Sequence, residues 1–228
     1  LALIGIVCLI LFGCEENFEG SPSKVCVFDI DNTLTANPTQ TTNQLKSESG
    51  FPASSYAKKA VEYCRKKGYG VAVATAETES VAKSAKQTEF LKSVGIDPKT
   101  DPIEACPNSK SKKMYDPNSK KSYDSCTDTR YGVVSMSHGE DARLRLVKNP
   151  PSGGSVKKPM YENIAKHFGV GLNKLVVFDD DGANLRLCRY MTGNCNNCIQ
   201  ASKNCGGRWC PDGNGITESD FRDFPDGV

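Results

Sequence analysis

The stretch "VCVFDIDNTLT", Val25–Thr35, places two carboxylates, Asp29 and Asp31, at the end of an apolar, β-branched run. Such a run reads as a buried strand. A buried charge is costly unless it is paired, hydrogen-bonded or bound to a metal. The "DNT" that follows supplies turn-forming residues. Asp29 is therefore expected as the last strand residue, and Asp31 on a loop curling over it.

Outward from this point, strands and helices alternate. "SYAKKAVEYCRKKG" is amphipathic, with Ala57, Ala60, Val61 and Cys64 at helical spacing, Ser54 or Ser55 as cap and Gly68 as stop. "YGVAVATA" reads as a strand and "ESVAKSAKQTEFLKSVG" as a second helix. "YENIAKHFGV" is a helix, "KLVVFDD" a strand, "GANLRLCRYM" a helix start and "CIQAS" a short final strand. Alternation with fully apolar strands predicts an α/β fold, a Rossmann-like parallel sheet with helices on both faces. Functional residues of such sheets gather at the carboxyl ends of the strands. Asp29, Asp31, Thr75, Asp179 and Asp180 all fall there.

The chain of 228 residues suffices for one substantial core with a small insert, and a formal charge of +2 gives no nucleic-acid-binding field. Residues 98–155 break the rhythm. They are rich in Lys, Ser, Asp, Asn and Pro and read as a polar insert, at most a small cap. Within it, "RYGVVSMS" and "ARLRLVK" are expected to form a hairpin, and "NPPSGGS" a linker. Its lysines Lys110, Lys112, Lys113, Lys120 and Lys121 read first as a solvated loop.

The motifs together resemble the haloacid dehalogenase-like superfamily of phosphohydrolases. "VFDIDNTLT" is similar to its DxDxT motif, Thr75 to the strand-ending second motif, Lys158 in "VKKPMYENIAKHFG" to the third and "LVVFDDDGAN" to the acidic fourth. The resemblance runs from about Lys24 to Ser202. It implies a phosphomonoesterase with Asp29 as nucleophile, Asp31 as general acid and base, and Thr33, Thr75 and Lys158 on the phosphoryl group. It also implies magnesium held by Asp29, the Asp31 carbonyl and Asp180, with Asp179 in support. Asp180 is preferred because Asn184 follows four residues on; Asp181 reads as a helix N-cap. Lys157 is the rival to Lys158, which the following Pro159 favours. The partner implied is a phosphorylated substrate. A phosphomutase would need a larger cap. A secreted or surface binding protein that keeps the fold without catalysis competes with this reading, but the intact motif set argues against it.

Residues 1–20, opening "LALIGIVCLILFGC", form an apolar leader expected to be a secretory h-region, a lipoprotein leader with Cys14 as the modified residue, or a buried first element. Residues 21–228 form the phosphatase-like domain, ending in a Cys-rich tail over 188–228. Cys188, Cys195, Cys198, Cys205 and Cys210 there, and Cys106 with Cys126 in the insert, read as disulfides in an oxidising compartment. Zinc is the rival for the tail, given Cys195-x2-Cys198. Cys26 and Cys64 read as small buried hydrophobes. His138 and His167 are isolated and receive no role.

Overall fold

The computed structural model describes residues 20–36, 45–107, 111–116, 121–126, 157–206, 213–222 and 224. The leader, the expected hairpin over 130–148, His138 and the "NPPSGGS" linker fall outside these.

Five parallel strands form the central sheet: β1 (Val25–Phe28), β2 (Gly70–Thr78), β3 (Ile103–Cys106), β6 (Leu175–Asp179) and β7 (Cys198–Gln200), in the order β3-β2-β1-β6-β7. Strands β4 (Ser111–Asp116) and β5 (Lys121–Cys126) pair separately as an antiparallel ribbon. The helices are α1 (Ala57–Lys66), α2 (Glu79–Ala82), α3 (Ala85–Ser93), α4 (Lys158–Phe168), α5 (Gly182–Thr192) and α6 (Glu218–Arg222).

Strand β1 shows why the sheet is covered on both faces. Its side chains alternate between two cores. Cys26 and Phe28 join Val61, Phe90, Leu91 and Phe221 on one side, whereas Val25 and Val27 join Met160, Ile164, Leu185 and Leu187 on the other. All four β1 residues are fully buried, and each such side chain stabilises the fold by about 1.5–3 kcal/mol. Phe28 stacks on Phe178 of β6 with centroids 4.8 Å apart.

Three expectations change. Ile103–Cys106 belongs to the sheet as its edge strand rather than to a detached insert, and buries Ala105 and Cys106. The helix expected across 79–95 is two helices, because Ser84 caps α3 by accepting from Gln87 N. Cys26 and Cys64 are not free thiols but a disulfide joining β1 to α1. Both thiols sit on facing apolar surfaces, a placement that sequence spacing does not reveal.

The Cys-rich region starts inside the sheet domain. Cys188 of α5 bonds Cys198 of β7, which removes Cys198 from a Cys195-x2-Cys198 metal site. Cys106 and Cys205 are disulfide-bonded, and Cys195 is a free, exposed thiol. A Cys106–Cys126 pairing stays an expectation. No helix among the described residues is long and apolar enough to cross a membrane.

Alkylation without reduction should label Cys195 and spare Cys26, Cys64, Cys188 and Cys198. The Cys26–Cys64 bridge spans 38 residues, so loop entropy predicts that Cys26→Ala/Cys64→Ala loses about 4 kcal/mol in urea unfolding. Cys195→Ser should change stability by less than about 0.5 kcal/mol.

Candidate active site

The chain leaves β1 toward β2 on one side and returns to β6 on the other. The crevice at the carboxyl ends of β1 and β6 is thus the topological switch point, where open α/β sheets place their ligands. Phe28 pairs with Phe178, so Asp29 stands level with Asp179, and Asp29 N donates to Phe178 O at 3.0 Å. Carboxylate oxygens of Asp29, Asp179 and Asp180 all come within 4.8 Å of one another, and all three residues are buried.

One cation lies among them. Lys157 Nζ donates to Asp29 Oδ1 at 2.5 Å and to Asp179 Oδ2 at 2.7 Å. Lys157 is fully buried because α4 starts at Lys158 with Pro159 in its first turn; the residue just before the helix then points back into the crevice. This corrects the preference for Lys158. The Lys158 side chain is half exposed and lies 3.9 Å from Glu162 on the outer face of α4.

Asp179 is saturated with donors: Lys157 on Oδ2, and Asp181 N at 2.9 Å and Asn184 Nδ2 at 3.2 Å on Oδ1. Asn184 therefore serves Asp179 and not Asp180. Asp180 has a weaker contact, from Asn32 Nδ2 at 3.4 Å. Asp181 caps α5, accepting from Ala183 N at 2.7 Å.

After Asp29 the chain makes a non-helical turn over Ile30–Leu34, extended at Asp31, with Leu34 N reaching back to Asp29 O and Thr35 N to Ile30 O. Asn32 sits in the left-handed region at φ 54°, which Asn tolerates better than most residues. Thr35 Oγ1 closes the turn by accepting from Asn32 N and donating to Ile30 O. The C-terminal segment buttresses it. Ile216 N donates to Thr33 O at 2.8 Å, while Ser202 Oγ donates to Asn32 O and accepts from Gly215 N. Gly213 must lack a side chain, since a Cβ there would lie 2.5 Å from Asn32 Oδ1. Spacing gave no sign of this tail-to-loop contact.

Asp31 is not one of the three clustered carboxylates. Its Oδ1 accepts from Ser49 Oγ at 2.7 Å. Thr75 lies one register step beyond Asp29 and is buried, but β2 continues past it to Thr78. Its Oγ1 accepts from Glu77 N at 3.2 Å. Thr33 Oγ1 is buried with no hydrogen-bond partner among the described residues.

The electrostatics ask for a cation. Burial raises the Asp29 carboxyl well above its usual range; Lys157 opposes this, and Asp179 and Asp180 add to it. Burial, then Asp179 beside it, pushes Asp180 up to about 7. Burial disfavours the Lys157 charge, but Asp179 and Asp29 more than reverse that and hold the ammonium protonated. Burial likewise raises Asp31. Burial, followed by the charges of Asp31 and Glu48, brings Glu77 to about 8. With one lysine for three buried carboxylates, the cluster either holds protons or takes a further cation, and an all-oxygen donor set suits a hard divalent one.

No family model and no curated protein matches the chain. Among solved structures, a probable YrbI family phosphatase from Pseudomonas syringae pv. phaseolica 1448a is 14% identical, with 76% of this chain covered and a TM-score of 0.38; the chain spans 65% of its length. D,D-heptose 1,7-bisphosphate phosphatase from B. bronchiseptica, solved with magnesium and phosphate, is 18% identical over 86% of this chain and 92% of its own, with a TM-score of 0.39. A phosphoserine phosphatase in apo form is 14% identical over 74% and 83%, with a TM-score of 0.38. With TM-scores this low the likenesses add no weight, and the functional reading rests on the residues themselves.

Asp180 binds its proton more tightly in the folded chain, near pH 7, than at its ordinary value of 3.8. The folded state then holds more protons than the unfolded one across that window, so stability falls as pH rises through it. Metal-free protein should accordingly lose melting temperature from about pH 5 to about pH 7.5, and excess magnesium or Asp180→Asn should flatten the slope. Lys157→Met strands buried charge and should cost about 3–5 kcal/mol. Lys158→Met should cost less than about 0.5 kcal/mol in the same denaturation assay.

Proposed function

We propose that the chain is an exported phosphomonoesterase of the haloacid dehalogenase-like type, working through an aspartyl-phosphate. The observation that carries this reading is Lys157, buried between Asp29 and Asp179 at the switch point, with Asp31 held separately on the adjoining turn. Asp29 is the nucleophile: its carboxylate attacks phosphorus, the bond from phosphorus to the leaving oxygen breaks, and Asp31 gives that oxygen its proton. Asp31 then takes a proton from water, whose oxygen attacks the same phosphorus and frees Asp29 and inorganic phosphate.

Lys157 neutralises charge on Asp29 and the phosphoryl oxygens, the role that the family resemblance implied for Lys158. Thr33 and Thr75 would donate to those oxygens; the buried Thr33 hydroxyl, without a partner among the described residues, supports that assignment. Asp29, Asp180 and the Asp31 carbonyl would hold magnesium, which supplies charge neutralisation and phosphate orientation when bound. Asp179 holds Lys157 in place. The disulfides fit an oxidising compartment, and the 1–20 leader fits export there, with cleavage or retention as a membrane or lipid anchor both compatible. The substrate is a phosphorylated small molecule or an exposed phosphate group, not nucleic acid.

Asp29→Asn should abolish turnover and any acid-stable phosphoenzyme. Asp31→Asn should slow an alkyl phosphate by about 10²-fold or more, and an activated aryl phosphate much less, because the aryl leaving group needs little protonation. Steady-state rates on the two esters with excess magnesium decide it: full activity of Asp29→Asn ends the mechanism, and equal losses for Asp31→Asn end the acid assignment.

A further inference from the structure

The Asp31 carboxyl is held by a turn outside the motif pattern. Gly50 N donates to Ser47 O at 3.0 Å, and Gly50 adopts φ 88°, closing a tight turn over residues 47–50. Ser49 Oγ donates to Asp31 Oδ1 at 2.7 Å, and Ser47 Oγ lies 2.8 Å from Ser49 Oγ. A hydroxyl has one proton to give. With Ser49's proton directed at Asp31, the fully buried Ser47 donates to Ser49, and the two hydroxyls form an oriented chain ending on the carboxyl.

This turn is pinned to the body of the protein. Ser47 N donates to Phe51 O at 2.9 Å, and Lys46 forms an antiparallel bridge with Pro52. Glu48 N donates to Gln87 Oε1 at 2.8 Å, Ser84 Oγ donates to Glu48 Oε1 at 2.5 Å, and Lys86 Nζ lies 3.8 Å from Glu48 Oε2. Ser84 and Gln87 are the cap and first turn of α3. The Ser49 hydroxyl is thus fixed relative to α3, not merely to its own loop. Asp31, on the turn after β1 and outside the three-carboxylate group, has its Oδ1 held by Ser49.

We propose that Ser49 is a positioning residue for Asp31: it holds Oδ1 and leaves Oδ2 as the oxygen that exchanges a proton with the leaving group. The assignment rests on the phosphatase reading above. It makes Ser49 matter most where protonation of the leaving group limits the rate.

The test compares wild type, Ser49→Ala, Ser49→Thr, Gly50→Ala and Asp31→Asn on an alkyl and an activated aryl phosphate with excess magnesium. Ser49 is exposed, and a melting temperature for each variant shows that the fold survives. Ser49→Ala should lower kcat on the alkyl ester about tenfold, a fraction of what the acid itself supplies. The aryl ester should lose less than about threefold, with KM of both inside about twofold. Ser49→Thr, which keeps the hydroxyl, should recover most of the alkyl rate. Gly50→Ala strains the turn without touching Asp31 and should reproduce the alkyl-selective loss. Equal losses on both esters, no loss, or no recovery by Thr overturns the assignment. If Asp31→Asn shows the alkyl selectivity and Ser49→Ala does not, Ser49's role alone falls. If wild type hydrolyses neither ester, the phosphatase reading fails and the role of Ser49 falls with it.

Discussion

The Lys157 ammonium, shared between Asp29 and Asp179, is the interaction on which the site depends. It can form only if two distant placements agree. Parallel pairing of β1 with β6 must set Asp29 level with Asp179, and α4 must begin one residue after Lys157. Either slip would leave carboxylates buried without a cation, a state costing several kcal/mol. The apolar registers of Val25–Phe28 and Leu175–Phe178, buried on both faces, are what keep the first placement from sliding.

The remaining negative charge explains the local architecture. Asp179 is fully engaged by Lys157, Asp181 N and Asn184, so it behaves as a fixed part of the frame. Asp180, with one long contact to Asn32, keeps its coordinating capacity. A turn with left-handed backbone at Asn32 separates Asp31 from the cluster, which lets two neighbouring carboxyls in sequence experience different surroundings. Different surroundings are the usual route by which one of two acids stays charged and the other holds a proton.

Much of this was legible in the sequence. The apolar runs and the carboxylates after them gave the sheet and its functional edge, because burial on both faces leaves an unmistakable pattern. Asp181 as a cap followed from its place before Gly182. What failed was decided by single-residue register or by long-range geometry. "VKKP" does not say which lysine precedes the helix, and a shift of one residue turns a side chain from solvent to core. Ile103–Cys106 hid among polar neighbours because an edge strand needs only one good neighbour. The Cys26–Cys64 bridge, the Ser49 contact and the Gly213–Ile216 buttress each join segments that only the folded chain brings together.

The buttress has a temporal consequence. Asp29 is made before Lys157 and Asp180, and Gly215 and Ile216 come after both. Yet the turn that carries Asp31 is braced by Ser202, Gly215 and Ile216. A chain emerging N-terminus first therefore has Asp29 and Asp31 long before the turn that carries Asp31 is braced. Such an order leaves the turn unsupported, and the carboxylate site incomplete, until the last of these segments has been made.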